Sequence, residues 1–317
     1  MRLHEDKYSF SALLAAIHNE TGIRQDILEK DYYVCLLLEE LAEKQKMVPA
    51  YFKGGTALYK AQKSIRRFSE DIDLTVAVDG CTNSQAKKRL EMVTKKYSSL
   101  PRTARKELED DRKGSITSVY DYVPNSSFDQ NDPLQRFGFV KVEATSFTVS
   151  EPFTELEIEP AIYTFANAEQ RQILKERFEV VPFSLGTIRL ERIFADKIFA
   201  AEFYYEREMY FDVAKHLYDT SIMLSLPEIT ELVQNKELLK TMLNYKRLEE
   251  ERRTGSSLAD KNFIDFTIFE GIEENKKLKK AFDVMQNIYV FNKADELSFD
   301  FVIQQWSKIK TVLLPET

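Results

Sequence analysis

Asp71 and Asp73, separated by Ile72 and followed by Leu74-Thr75-Val76, are the residues in this chain whose type and spacing speak most directly of chemistry. In a strand, side chains two apart share one face, so the two carboxylates would stand roughly 6–7 Å apart. So placed, they can share a divalent metal ion. Upstream, Tyr51-Phe52-Lys53 reads as a short strand, Gly54-Gly55-Thr56 as a turn, and residues 57–64 as a helix whose first amides are free to meet phosphate. A Cβ at Gly54 or Gly55 would obstruct backbone approach to phosphate, and the Thr56 hydroxyl can donate a hydrogen bond to it. The reaction that uses both halves is attack on the α-phosphate of a nucleoside triphosphate. There, metal ions neutralise the phosphates and align the attacking and leaving oxygens. A Gly-Gly turn alone, or an Asp-x-Asp pair alone, is usually structural; the order strand, turn, helix, strand joins them into one site.

The segment Phe52-Lys53-Gly54-Gly55-Thr56-Ala57-Leu58, with Lys60 and then Arg67-Phe68-Ser69-Glu70-Asp71-Ile72-Asp73-Leu74, resembles the AbiEii/AbiGii abortive-infection family. That family lies in the DNA polymerase β-like nucleotidyltransferase superfamily. Other pieces are similar in the same order. Glu29-Lys30-Asp31-Tyr32-Tyr33-Val34 resembles the family's N-terminal signature, and Lys141-Val142-Glu143-Ala144-Thr145-Ser146-Phe147 its later acidic strand. Glu191 to Lys197 and Lys215 to Asp219 resemble its C-terminal Lys and Asp motifs, so the likeness runs from about residue 25 to 225. The reach between the aspartate pair and the Glu143 strand is unusually long, which leaves the strand count open.

The resemblance implies Mg²⁺ or Mn²⁺ held by Asp71, Asp73 and a third carboxylate that also accepts the proton of the attacking hydroxyl. Glu143 is the first candidate and Glu157 the second. Lys141, Glu143 and Thr145 would share one strand face, whereas Glu155, Glu157 and Glu159 can equally be the outer face of an amphipathic strand. Lys197 is expected to meet triphosphate oxygens as a point charge, and Asp219 to position Lys197 or an incoming base. Asp219 also suits a buried salt bridge between helices. Lys53, Arg67 and Ser69 join Gly54, Gly55 and Thr56 as nucleotide-binding candidates; Arg67 and Ser69 match the family pattern. Lys60 is placed either with the phosphates or on a solvated helix face, Lys63 on such a face, and His216 in a structural role.

Similar chains serve as toxins of abortive-infection or type IV toxin–antitoxin pairs, some of them transferring nucleotides to the 3′ end of tRNA. An RNA acceptor and a cognate antitoxin are therefore implied partners. Two other functions stay open: nucleotide transfer to a protein hydroxyl (AMPylation), and a binding module that kept the fold without turnover.

The elements that must position these residues fall into two parts, an α+β class. Residues 8–46 carry two helical patterns, with Ile27, Val34, Leu37, Leu38 and Leu41 at helical spacing. Strands are expected at 50–53, 71–78, 115–123, 137–149 and 155–165, with a polar helix over 84–98. These make a polymerase β-like core, a mixed sheet with helices, in a first domain of residues 1–182. Residues 183–317 read as a helical C-terminal domain, with a break at Pro227 and a loop at Thr254-Gly255-Ser256-Ser257. On one unbroken helix Lys197 and Asp219 would lie about 33 Å apart. The chain is therefore expected to turn back between them, near residues 206–212.

Composition sets outer bounds. The chain has 317 residues, 43% of them hydrophobic, enough for two packed domains. No apolar run approaches the ~20 residues of a membrane span and no signal-peptide core opens the sequence, so no membrane partner and a cytoplasmic location are expected. Cys35 and Cys81 have neither metal-ligand spacing nor a disulfide context. A net charge of −7 argues against a whole-protein field that would gather nucleic acid. Local runs, from Lys87 to Lys106 and from Lys276 to Lys280, could follow a phosphate backbone, and such a run is more often a solvated face.

Overall fold

Buried and half-buried residues alternate over 50–53 and 139–144, within two strands of the computed structural model, which describes residues 1–63, 66–127, 137–148, 150–252 and 258–313. The chain divides into two compact units. The first comprises Met1–Ala61, Glu70–Ser146 and Phe153–Thr187. Its elements are α1 (Lys7–Thr21), α2 (Gln25–Gln45), β1 (Ala50–Lys53), α3 (Gly54–Lys60), β2 (Ile72–Val76), α4 (Asn83–Thr94), β3 (Asp110–Arg112), β4 (Ser115–Asp121), β5 (Phe139–Thr145), β6 (Phe153–Ile158), α5 (Ala161–Thr164), α6 (Ala168–Phe178) and β7 (Phe183–Ile188). The seven strands form one mixed sheet in the order β3-β4-β5-β2-β1-β7-β6. β2 runs antiparallel to β1 and parallel to β5.

Several expected boundaries move. The helix expected at 57–64 begins at Gly54, so Gly54-Gly55-Thr56 is its first turn; Ser64 lies outside the described residues. β2 is shorter than 71–78 and leaves Asp71 just ahead of its first residue. β4 stops at Asp121, β5 covers 139–145 of the expected 137–149, and residue 149 lies outside the described residues. The strand expected over 155–165 ends at Ile158, because Pro160, which has no N–H to donate, sits at the N-cap of α5. α4 stops at Thr94, where Tyr97 N–H takes the Tyr120 hydroxyl instead of continuing the helix. β3 and β7 were not foreseen, and β7 lies inside a stretch that reads as helical. The loop at Thr254–Ser257 lies outside the described residues.

Three consecutive charged residues of α2 are buried, which a helix tolerates only when each charge has a partner. The Glu29 carboxylate accepts from the backbone N–H groups of Asn125 (2.6 Å) and Ser126 (2.8 Å), holding the chain that follows β4. Burial pushes its pKa up, against the pull of those donors. Lys30 Nζ donates to the carbonyl of Phe139 at the start of β5. Asp31 receives Lys60 Nζ at 2.8 Å and the Ala161 N–H at 2.6 Å, tying the end of α3 to the start of α5. Lys60 is therefore not on a solvated face: it is 6% exposed and paired. Burial alone would lower its pKa, but the Asp31 charge outweighs that and raises it.

The second unit comprises Gln62–Ser69, Phe147–Pro152 and Ile188–Thr317. Its helices are α7 (Leu190–Tyr205), α8 (Tyr210–Met223), α9 (Pro227–Gln234), α10 (Lys236–Arg252), α11 (Ile268–Gly271), α12 (Lys276–Tyr289) and α13 (Phe299–Leu313). The turn expected near 206–212 occupies 206–209, with Glu208 at φ 52°. Phe194, Phe199, Leu217, Tyr218 and Trp306 fill the core, and Trp306 Nε1 donates to Thr220 Oγ1 at 3.0 Å. Buried Glu202 accepts from Thr267 N–H (2.8 Å) and Ile268 N–H (2.9 Å), anchoring the start of α11.

Breaking the Asp31–Lys60 pair strands an ammonium in the core. Asp31→Ala is expected to cost roughly 3–5 kcal/mol, read as a lowered urea midpoint by circular dichroism. An unchanged midpoint would contradict the pairing.

Candidate active site

Sheet register builds the site in the first unit. Lys53 lies opposite Asp73, Asp73 opposite Glu143, and Glu143 opposite Thr117, so one row crosses β1, β2, β5 and β4. Period-two alternation in β5 puts Lys141 on the Glu143 face, while Val140, Val142 and Ala144 are buried on the other. There Lys141 Nζ meets Asp71 Oδ2 at 2.9 Å. Gly54 has φ +79°, and a Cβ on it would overlap Asp73 Oδ2. Only glycine lets the strand-to-helix corner sit against that carboxylate. Gly55 and Thr56 follow in the first turn of α3, and Thr56 is buried. Glu157 is exposed on β6, the strand at the far edge of the sheet, three places from β2; Glu143 is the carboxylate that faces Asp73.

Like charges so close raise one another's pKa. Asp73 is pushed up to about 7, first by burial and then by the charges of Glu143 and Asp71, with Lys53 and Lys141 pulling the other way. A half-buried face with three carboxylates and oxygen donors suits a hard divalent cation better than a soft one. As the side chains stand, no three His, Cys, Asp or Glu converge as a metal-binding group among the described residues, and Asp71 is turned onto Lys141.

Lys197, Asp219 and Arg67 come together in the second unit. The Arg67 guanidinium donates twice to Asp219, at 2.6 and 2.7 Å, and Lys197 Nζ lies 2.9 Å from Asp219 Oδ2. All three are buried. Burial would raise the Asp219 pKa, but Arg67 and Lys197 outweigh it and hold the carboxyl far below the usual range. Remaining Arg67 donation goes to the Phe68 carbonyl at 3.1 Å, so the structure shows it orienting Asp219. Ser69 closes the segment Gln62–Ser69 of the same unit. His216 stacks on Tyr204 with 5.5 Å between ring centroids. Burial, then the Lys197 charge, drive its pKa well down, which keeps it neutral.

The sequence carries no local signal for several interactions, Arg67 with Asp219 among them. Lys141 was placed on the site face without a partner, although its spacing from Glu143 matches that of Asp71 from Asp73. The Asp31–Lys60 pair spans the sequence and left no local signal. Half of the basic run has acid partners: Lys87 and Lys95 meet Asp111 at 3.6 and 2.7 Å, Arg102 meets Glu109 at 3.0 Å, and Arg105 meets Asp121 at 2.7 Å.

The raised pKa of Asp73 makes its ionised form a cost to folding. Between the unfolded value near 4 and the folded value of about 7, the folded state holds the extra proton, so stability falls as pH rises through that window. Asp73→Asn cannot ionise and is expected to be more stable than the parent in EDTA at pH 8, by order 2–4 kcal/mol. Thermal melts across pH 4–8 should show that gain fading towards pH 4.

The family model described as "Nucleotidyl transferase AbiEii toxin, Type IV TA system" matches residues 36–303, a span that holds both clusters but begins after Glu29-Lys30-Asp31. No curated protein matches the chain.

Proposed function

The chain belongs to the AbiEii nucleotidyltransferase toxin family of type IV toxin–antitoxin systems, and on that premise we propose that it transfers a nucleotide from a nucleoside triphosphate to an acceptor hydroxyl at the Asp71, Asp73 and Glu143 face. The observation that carries this reading is the register that sets Asp73 between Glu143 and Lys53 beside a corner only glycine can occupy. Asp71, Asp73 and Glu143 would hold Mg²⁺ or Mn²⁺, which when bound neutralises phosphate charge and lowers the cost of nucleophilic attack. Gly54 and Gly55 admit the phosphates close to the backbone, with Thr56 beside them. Lys53 adds positive charge in the same row. Glu143, opposite Asp73 in the register, would accept the proton of the attacking hydroxyl. On the family's terms, Lys197 and Asp219 are required as well, with Arg67 fixing the Asp219 carboxylate.

The acceptor we favour is RNA, with the 3′ end of tRNA first, and the toxin's effect would be countered by a cognate antitoxin. Such a reaction belongs in the cytoplasm. Consistent with a site that needs no bilayer, no helix among the described residues is long and apolar enough to cross a membrane.

Purified protein with Mg²⁺, each labelled nucleoside triphosphate in turn, total cellular RNA and total protein is the direct test. Label on a tRNA-sized band is expected, falling at least about a hundredfold in Asp71→Ala and Asp73→Ala. Label on protein would replace the RNA acceptor with a protein one. Absence of label, with the cellular effect unchanged in both variants, would favour the binding module.

A further inference from the structure

Among the described residues, Lys141 is seated on a carboxylate of the proposed metal face. Its Nζ lies 2.9 Å from Asp71 Oδ2, and both side chains are partly exposed, at 29% and 41%. Its place is fixed by the sheet, because Lys141 stands two residues from Glu143 on β5 as Asp71 stands two from Asp73, and β2 and β5 are paired in parallel. The face therefore carries three carboxylates and two ammonium groups, Lys53 and Lys141. A divalent ion that took Asp71 as a ligand while Oδ2 holds Lys141 would sit close to the ammonium, and the two cations repel.

We infer that Lys141 is a positioning residue that competes with the metal ion for Asp71, so that full metal loading and nucleotide binding are coupled. The inference rests on the metal-dependent transfer proposed above. The physical sequence is an exchange of partners. A metal ion arriving with a triphosphate offers Asp71 a stronger counter-charge, and the phosphates offer the released ammonium a negative partner in turn. Either ligand alone leaves one charge without its match: metal alone displaces the ammonium towards nothing, and triphosphate alone must enter beside three carboxylates. Binding of one therefore favours binding of the other, and the coupling is reciprocal. Lys141 keeps its charge throughout, because the Asp71 carboxylate more than offsets the burial that would lower its pKa. The convergence of Asp71 with Asp73 and Glu143, which the side chains do not show while the pair is made, is what the exchange would complete.

The test is Mn²⁺ binding followed by electron paramagnetic resonance, without nucleotide and then with a non-hydrolysable triphosphate. It compares the parent protein with Lys141→Met, Lys141→Gln, Lys141→Arg and Asp73→Asn. Lys141→Met and Lys141→Gln are expected to bind Mn²⁺ about three- to tenfold more tightly than the parent without nucleotide, as loss of a partly exposed ion pair allows. Both should lose most of the affinity gain that nucleotide gives the parent, while Lys141→Arg keeps the parent's behaviour. Equal or weaker Mn²⁺ binding in the two neutral variants, with circular dichroism unchanged, would overturn the inference. It would leave the transferase reading standing if Asp73→Asn still weakened binding. Mn²⁺ binding indifferent to Asp73→Asn would remove the metal face itself, and both readings with it.

Discussion

The structure of the first unit turns on one unfavourable interaction: two carboxylates, Asp73 and Glu143, opposite each other on parallel strands in a half-buried setting. Left alone, such a pair would push the strands apart or take up a proton. The fold instead brackets it. Hydrophobic side chains on the reverse of the same strands, Ile72, Leu74, Val140, Val142 and Ala144, are buried and secure the sheet, while Lys53 and Lys141 moderate the charge on the exposed side. A cation bound at that face would relieve the repulsion.

Rigid support for that arrangement comes from α2, whose buried Glu29, Lys30 and Asp31 each hold a different part of the first unit. Asp31 is the member nearest to function, since Lys60 ends the helix that Gly54 begins. One carboxylate thus limits how far α3 can slide along the sheet, and with it the glycine corner against Asp73. The second unit uses the same device at Asp219, where two cations converge on one buried carboxylate and fix the relation of α7, α8 and the 62–69 segment. In both places burial turns a charge pair from a surface ornament into a geometric restraint.

Legibility followed locality. The aspartate pair, the glycine corner and the strands at 50–53 and 115–121 could be read because spacing, β-branching and glycine each act over a few residues. The long-range pairs could not: Asp31 with Lys60, and Arg67 with Asp219, are joined only by the packing of elements far apart in sequence. β7 was missed for a related reason. Phe183-Ser184-Leu185-Gly186-Thr187-Ile188 borders a long helical stretch, and it is a strand because β1 offers it a parallel partner. Lys60 shows the same limit from the other side, since a lysine at the end of a short polar-looking helix reads as solvated until its partner is seen.

The acid partners of the 87–105 basic run carry a thermodynamic consequence for any nucleic-acid acceptor. Lysines and arginines already paired with Asp111, Glu109 and Asp121 neutralise fewer phosphates when a backbone arrives, so fewer counterions leave the polymer. With a net charge of −7, the chain also gives such a polymer no long-range pull. Capture of RNA by this molecule would therefore depend less steeply on ionic strength than the number of cations in the run implies. Selection would fall to shape and to the few contacts made at the acceptor end, so that bulk RNA, however abundant, would compete poorly.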